Sequence, residues 1–288
     1  MHFRTMRTAS ALLPLLLMMA CVTTQAGKPD MTAEVSVAST TAPAVQVAAD
    51  SHRELNQQMV LATWWFQRSA EARALYLQAY TMARMALERD LSLKIAGKRA
   101  VILDIDETVL DNSPFQARCI QDGTAYPTGW AEWCREARAL ALPGVKQFLD
   151  WADSSGVDIY YISNRKQALL DETIQNLKDV GLPQASAEHV LLRTEGNSKV
   201  ARRELVARDH RVAVLLGDNL ADFSGDFDAR SSEERQAAVD AHASEFGTRF
   251  IMLPNPMYGD WEGALYNHDW SLDDSTKMER RVQSLRRD

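Results

Sequence analysis

Two aspartates, Asp104 and Asp106, stand two residues apart at the end of an apolar run, Ala100-Val-Ile-Leu103. A carboxylate resists burial unless it is paired or bound to a metal, so a pair of them at a strand end points to chemistry rather than folding. A hydroxyl follows a second apolar run in Ile162-Ser163-Asn164-Arg165, and Lys199 opens a helical stretch after Gly196-Asn-Ser. A further run ends Gly217-Asp218-Asn-Leu-Ala-Asp222. Each of these alone is unspecific: Asp-x-Asp is common in loops, and a lone Ser163 or Lys199 reads as solvated surface. In succession, each at the end of a strand or the start of a helix, they form a set of acids, a hydroxyl donor and a fixed positive charge.

The elements that must position this set are legible from periodicity. Short apolar runs at 99–104, 157–162, 189–192, 212–216 and 250–253 have the pattern of strands buried on both faces. Helical stretches lie between them at 143–152, at 167–180 before Gly181 and Pro183, and at 198–207. Residues 53–91 predict one further helix, with apolar positions every three or four residues and no Pro or Gly. The charged tail, 278–288, has the pattern of a solvated helix. Strands alternating with helices predict an α/β fold: a Rossmann-like, mostly parallel sheet with helices on both faces. A smaller, mainly helical cap is assigned to 51–95 and parts of 112–142 and 255–288. Ligands of such sheets bind beyond the carboxyl ends of the strands, where the acids and the hydroxyl fall.

The set at Asp104, Ser163, Lys199 and Asp218 resembles the haloacid dehalogenase superfamily of phosphotransferases, whose motifs it carries in order. Asp104-Ile-Asp-Glu-Thr-Val-Leu-Asp-Asn112, Gly217-Asp-Asn-Leu-Ala-Asp-Phe223 and Asn255-Pro-Met-Tyr-Gly-Asp-Trp-Glu262 narrow the resemblance to the class C acid phosphatases, over about residues 55 to 270. These include outer-membrane lipoprotein 5′-nucleotidases. One departure is Phe115, where the family often has Tyr.

The resemblance implies a small-molecule phosphomonoester as substrate and one Mg²⁺ per chain. Asp104, Asp218 and the backbone carbonyl of Asp106 would be its ligands, oriented by Asp222; oxygen donors of this kind suit Mg²⁺. Asp104 would attack phosphorus, and Asp106 would serve as general acid and then base. Ser163 and Asn164 would bind the phosphoryl oxygens, with Lys199 balancing their charge. An acidic pH optimum is expected, because Asp106 must start protonated. Phe115, Trp130 and Tyr258 are the expected lining of a nucleotide pocket, where stacking on an aromatic face is worth about 1–3 kcal/mol. Arg165 could shape the phosphate pocket or pair with a neighbouring carboxylate. Two other readings stay open: a broad-specificity phosphatase for sugar or aryl phosphates, and a surface lipoprotein that binds haem or another ligand.

The chain has 288 residues, 39 of them acidic and 32 basic, for a net charge of −7. Such a balance argues against a nucleic-acid polymer as partner, which would demand basic surface. Residues 1–20 read as a signal peptide: Arg4 and Arg7 precede an apolar run of about ten residues, shorter than the roughly twenty that span a bilayer. The run ends Met18-Met-Ala-Cys21, which resembles a lipobox with Cys21 as the lipidated residue. Residues 21–50, rich in Thr, Ala, Val and Ser, read as a flexible tether, and 51–288 as the folded domain. The expected location is the cell envelope, as an outer-membrane lipoprotein anchored by lipid, with a soluble periplasmic protein as the alternative. A homodimer is compatible with the sequence but nothing in it points to one. Export favours a disulfide between Cys119 and Cys134, worth about 3 kcal/mol for a loop of roughly 15 residues, against two unpaired buried thiols.

Overall fold

The structure, a computed structural model, describes residues 52–287. The apolar run after Arg99 forms β1 (Lys98–Leu103), whose last four residues are all buried. Alternate side chains of β1 point to opposite faces: Val101 and Leu103 join the larger core, Ala100 and Ile102 the smaller. The period of two of a strand thus feeds two hydrophobic layers at once, the expected condition of a central strand.

Four strands join it: β4 (Asp158–Lys166), β5 (Val190–Arg193), β6 (His210–Gly217) and β7 (Phe250–Met252). The sheet order is β5-β4-β1-β6-β7, and every pairing is parallel. The chain runs outward from β1 through β4 to β5, then returns to the other side of β1 for β6 and β7. That reversal makes the carboxyl ends of β1, β4 and β6 the topological switch point of the sheet, where a crevice forms. β2 (Leu110–Asp111) and β3 (Leu140–Ala141) form a separate antiparallel pair.

The predicted helix over 53–91 is broken. Residues 52–57 are helical, α1 is Val60–Arg68 and α2 is Ala70–Ser92. Ser69 separates the last two: its backbone is extended (φ −75°, ψ 142°) and its Oγ accepts from the Ala72 amide at 3.0 Å. A serine that caps a new helix interrupts the old one without disturbing apolar spacing, so periodicity could not reveal it. The cap assigned to 51–95 is corrected for α2, which covers the sheet: Tyr76, Ala79, Tyr80 and Ala83 pack into the larger core with Val101 and Leu103. The remaining helices used below are α3 (Ser113–Asp122), α4 (Trp130–Arg135), α5 (Val145–Ser154), α6 (Leu170–Asp179), α7 (Val200–Ala207) and α10 (Asp274–Gln283), with α8 (Ser232–Ala241) and α9 (Asp260–Gly263) between them. No residue of α10 is buried, as expected of a solvated helix, though Arg281 reaches back to Glu262 and to the Tyr266 hydroxyl (2.7 Å).

Cys119 and Cys134 are both buried and free, so the expected disulfide is not formed. Each thiol faces its own surroundings, Cys119 near Thr124 and Asp122 on α3, Cys134 near Arg165 and Asp106 from α4. A disulfide would need the two Cα atoms within about 7 Å. The leader at 1–20, Cys21 and the tether at 21–50 lie outside the described residues. Among the described residues no helix is long and apolar enough to cross a membrane.

Candidate active site

The loop that leaves β1 folds tightly back on itself. Amides of Val109 and Leu110 both donate to the Ile105 carbonyl, at 2.8 and 2.9 Å. The turn requires Glu107 at φ 55°, a left-handed conformation that costs a non-glycine residue roughly 1–3 kcal/mol. Neighbours hold it there: the Tyr76 hydroxyl donates to the Glu107 carbonyl, the Tyr80 hydroxyl to the Thr108 carbonyl (2.7 Å), and Glu107 Oε1 accepts from the Asn112 amide (2.8 Å). Two tyrosines of α2 therefore set the path of the loop that carries Asp104 and Asp106. Burial pushes the Glu107 carboxyl well above its usual range, reinforced by Asp106 and Asp218.

Around Asp104 the structure gathers the acids predicted from the sequence. Carboxylate oxygens of Asp104, Asp218 and Asp222 all lie within 4.8 Å of one another, and all three residues are buried. Lys199, at the N-terminus of α7, donates to Asp104 Oδ1 and lies 2.6 Å from Asp222 Oδ1. Asp218 accepts from Thr108 Oγ1 (3.2 Å) and Asn255 Nδ2 (2.8 Å), one donor on each oxygen. Asp222 Oδ2 accepts from the Asn219 amide at 3.0 Å, in a short turn closed by a reciprocal cap. Gly217 is required for this approach: a Cβ there would meet Asp222 Oδ2 at 2.3 Å.

The electrostatics follow from these contacts. Burial raises the Asp104 carboxyl well above its usual range, with Lys199 pulling the other way and Asp222 and Asp218 adding to the rise. Burial, with Asp222 beside it, pushes Asp218 up to about 7. For Lys199 burial opposes the charged form, yet the Asp104 and Asp222 carboxylates outweigh it and hold the ammonium above its usual range. Three carboxylates against one ammonium, with oxygen donors only and free lone pairs on Asp218, suit a hard divalent cation.

Asp106 turns away from this cluster. Its Oδ1 accepts from Arg165 Nε (2.9 Å), lies 2.8 Å from Arg165 Nη2, and accepts from Asn112 Nδ2 (2.9 Å); its Oδ2 accepts from Ser163 Oγ (3.0 Å). Only its backbone can then join the cluster of acids. Ser163 and Arg165 both lie inside β4, which runs on to Lys166 through an irregular register with β5 after Ile162, where the sequence placed a strand end. Asn164 is exposed, and its side chain is spent on the loop before α7: Nδ2 donates to the Asn197 carbonyl (2.8 Å) and Oδ1 accepts from Arg202 (2.6 Å). It braces the Lys199 loop instead of facing the acids.

The expected lining is brought only partly together. Phe115 is buried in the core behind Trp130, with ring centroids 5.0 Å apart and an edge-to-face angle of 71°. Trp130 is half-buried, and Tyr126, unremarked in the sequence, is exposed with its centroid 6.1 Å from it. Tyr258 is half-buried at the margin of the larger core. Asn112, Thr108, Asn255 and the tyrosine pair of α2 are the site residues to which the sequence assigned no role. Of the two readings of Arg165, the structure shows the pairing with a carboxylate, that of Asp106. Every described histidine has at least one ring nitrogen hydrogen-bonded to a carboxylate or a carbonyl.

Known proteins resemble this chain in sequence and fold. Residues 21–261 match the sequence profile of the HAD superfamily, subfamily IIIB (acid phosphatase). The class C acid phosphatase from Bacillus anthracis is 47% identical and superposes with a TM-score of 0.79, covering 81% of this chain and 98% of that one. The structure of that enzyme with tungstate bound gives 46% identity and a TM-score of 0.78 over the same shares, 81% and 98%. Vegetative storage protein 1 of Arabidopsis thaliana is 26% identical over 181 residues, 59% of this chain; the chain spans 58% of that relative's length.

Proposed function

The chain belongs to the HAD superfamily, subfamily IIIB acid phosphatases, and is a phosphomonoesterase; on that premise we propose a magnesium-dependent enzyme acting on 5′-nucleotides through an aspartyl-phosphate. The observation that carries this reading is the pocket at the switch point, where Asp104, Asp218 and Asp222 converge on Lys199 while Asp106 is held apart by its own donors.

Asp104 attacks phosphorus, the bond to the ester oxygen breaks, and Asp106 gives its proton to the departing oxygen. In the second half, water attacks phosphorus while Asp106 takes its proton, and the bond to Asp104 breaks to release phosphate. Asp104 and Asp218, with the carbonyl of Asp106, would hold Mg²⁺, which supplies neutralisation of the phosphoryl oxygens. Lys199, fixed between Asp104 and Asp222, keeps a second positive charge on the same oxygens throughout. Ser163 Oγ–H donates to the phosphoryl group when substrate displaces its bond to Asp106. The relative that binds tungstate, an oxyanion like phosphate, supports an anion pocket here.

The half-buried face of Trp130, flanked by Tyr126 and backed by Phe115, supports a base-stacking wall at the mouth of this pocket. The lipobox-like Met18-Met-Ala-Cys21 supports an address: lipid on Cys21 would tether the domain to the outer membrane, and Cys21→Ser should leave it soluble after fractionation.

The test is phosphate release from a 5′-mononucleotide, a sugar phosphate and an aryl phosphate at mildly acidic pH, with Mg²⁺ or with EDTA. Metal-dependent turnover with the nucleotide preferred is expected. Equal kcat/KM across the three substrates would instead favour the broad-specificity phosphatase.

A further inference from the structure

The two oxygens of Asp106 are not equivalent. Oδ1 accepts from Arg165 Nε and Asn112 Nδ2, both at 2.9 Å, and Arg165 Nη2 lies 2.8 Å from it as an ion pair. Oδ2 has a single hydroxyl, that of Ser163 at 3.0 Å. A carboxylate oxygen that already accepts two hydrogen bonds has both lone pairs engaged and none left to bind a proton. Arg165 has no freedom to release its share. Its side chain is 1% exposed, Nη2 also donates to Asn112 Oδ1 (3.3 Å) and Nη1 to Thr173 Oγ1 (3.4 Å). Asn112 is fixed in turn, because Trp133 Nε1 donates to the same Oδ1 at 2.8 Å. The Arg165 guanidinium also lies 5.6 Å from the centre of the Trp130 ring.

From this geometry we propose that Arg165 is the positioning residue of the general acid: with Asn112 it saturates Asp106 Oδ1 and confines proton transfer to Oδ2. The inference rests on the reading of Asp106 as acid and base. The proton leaves Oδ2 for the ester oxygen as the phosphorus–oxygen bond breaks, and returns to Oδ2 from the attacking water. Both transfers then use one oxygen in one orientation, and Ser163 marks the direction from which substrate reaches it. A guanidinium is suited to the task, since its rigid planar fork donates to Asp106, Asn112 and Thr173 at once, which the single nitrogen of an ammonium could not span. Because Trp130 sits on the same guanidinium, the group that orients the acid also touches the wall proposed for the base of the leaving nucleoside.

The experiment compares two phosphomonoesters whose leaving groups differ in their need for a proton. An alkyl alcohol such as a nucleoside 5′-hydroxyl must be protonated as it departs, whereas p-nitrophenolate leaves unaided. Arg165→Lys should lower kcat/KM, which covers the steps through departure of the leaving group, by about 10²-fold or more for a 5′-mononucleotide, the usual range of general acid–base catalysis. It should lower kcat/KM for release of p-nitrophenol less than tenfold. The ratio of the two rates is independent of the fraction of protein folded, so a merely structural defect leaves it unchanged. Trp133→Phe, which frees Asn112 without touching Arg165, should move the ratio in the same direction by a smaller factor. Asp106→Asn sets the reference: it should reproduce the selective loss in full. Selective loss in Asp106→Asn but equal losses on both substrates in Arg165→Lys would overturn the inference alone. Equal losses in Asp106→Asn would overturn the assignment of Asp106 on which it rests.

Discussion

Around Asp104, three carboxylates share one ammonium; around Asp106, one carboxylate has a guanidinium, an amide and a hydroxyl to itself. The two residues are separated by Ile105 alone and leave the same strand. The first pocket is short of positive charge and could hold a cation. The second is balanced by the protein and needs nothing further. On the proposed mechanism identical side chains take different work from their surroundings: nucleophile in the under-neutralised pocket, proton carrier in the neutralised one. The cost differs too. Buried charges without partners are among the most expensive features of a fold, so the Asp104 pocket is where stability and activity depend on the same groups.

The sharpest way to break this comparison is to remove the nucleophile. Asp104→Asn should lower kcat/KM by about 10⁴-fold or more for any phosphomonoester, since a nucleophile acts in both halves of the reaction. A loss under tenfold on an aryl phosphate with Mg²⁺ would mean the two aspartates are wrongly distinguished. Next comes the ammonium: Lys199→Met strands Asp104 and Asp222 without their shared cation and should cost about 3–5 kcal/mol of unfolding free energy. Urea denaturation with and without Mg²⁺ reads this directly, and Mg²⁺ should recover part of the loss. Smaller is Gly217→Ala, whose new methyl group must displace Asp222; overpacking of this kind costs about 1–3 kcal/mol. Calorimetric titration should also show weaker Mg²⁺ binding, whereas unchanged affinity would remove Asp222 from the metal pocket.

A pH slope tests the same pocket without a mutation. Asp218 is raised from 3.8 to about 7 in the folded chain, so its protonated form is favoured by folding. Its contribution to stability is present below the ordinary carboxylate range and is lost as pH rises through about 7. The melting temperature of EDTA-treated protein should therefore fall over that window, and saturating Mg²⁺ should flatten the curve. A metal-free curve that rises with pH would show Asp218 to be ionised and already compensated.

Much of the frame was legible because it is written locally. A parallel strand buried on both faces needs consecutive apolar residues, and all the runs found that way became strands of one sheet. The acids after β1 and β6 stood out because carboxylates at the ends of such runs contradict their surroundings. Local signals failed where a side chain competed with the backbone, as Ser69 did in ending α1, and where a strand continued past its apolar run, as β4 did through Ser163 and Arg165. The disulfide was read from the expected export to an oxidising compartment, which says nothing about which face of its helix each cysteine occupies.

What the sequence by itself determined is the order of strands and helices and the residue types delivered to the switch point. The tertiary structure alone decided how those residues divide into two pockets. Arg165 meets Asp106 across 59 positions of chain and Lys199 meets Asp104 across 95. Periodicity reflects burial within a few residues of one element. Charge pairing depends on distances of a few ångströms between elements, and those exist only once the sheet has brought the ends of β1, β4 and β6 together.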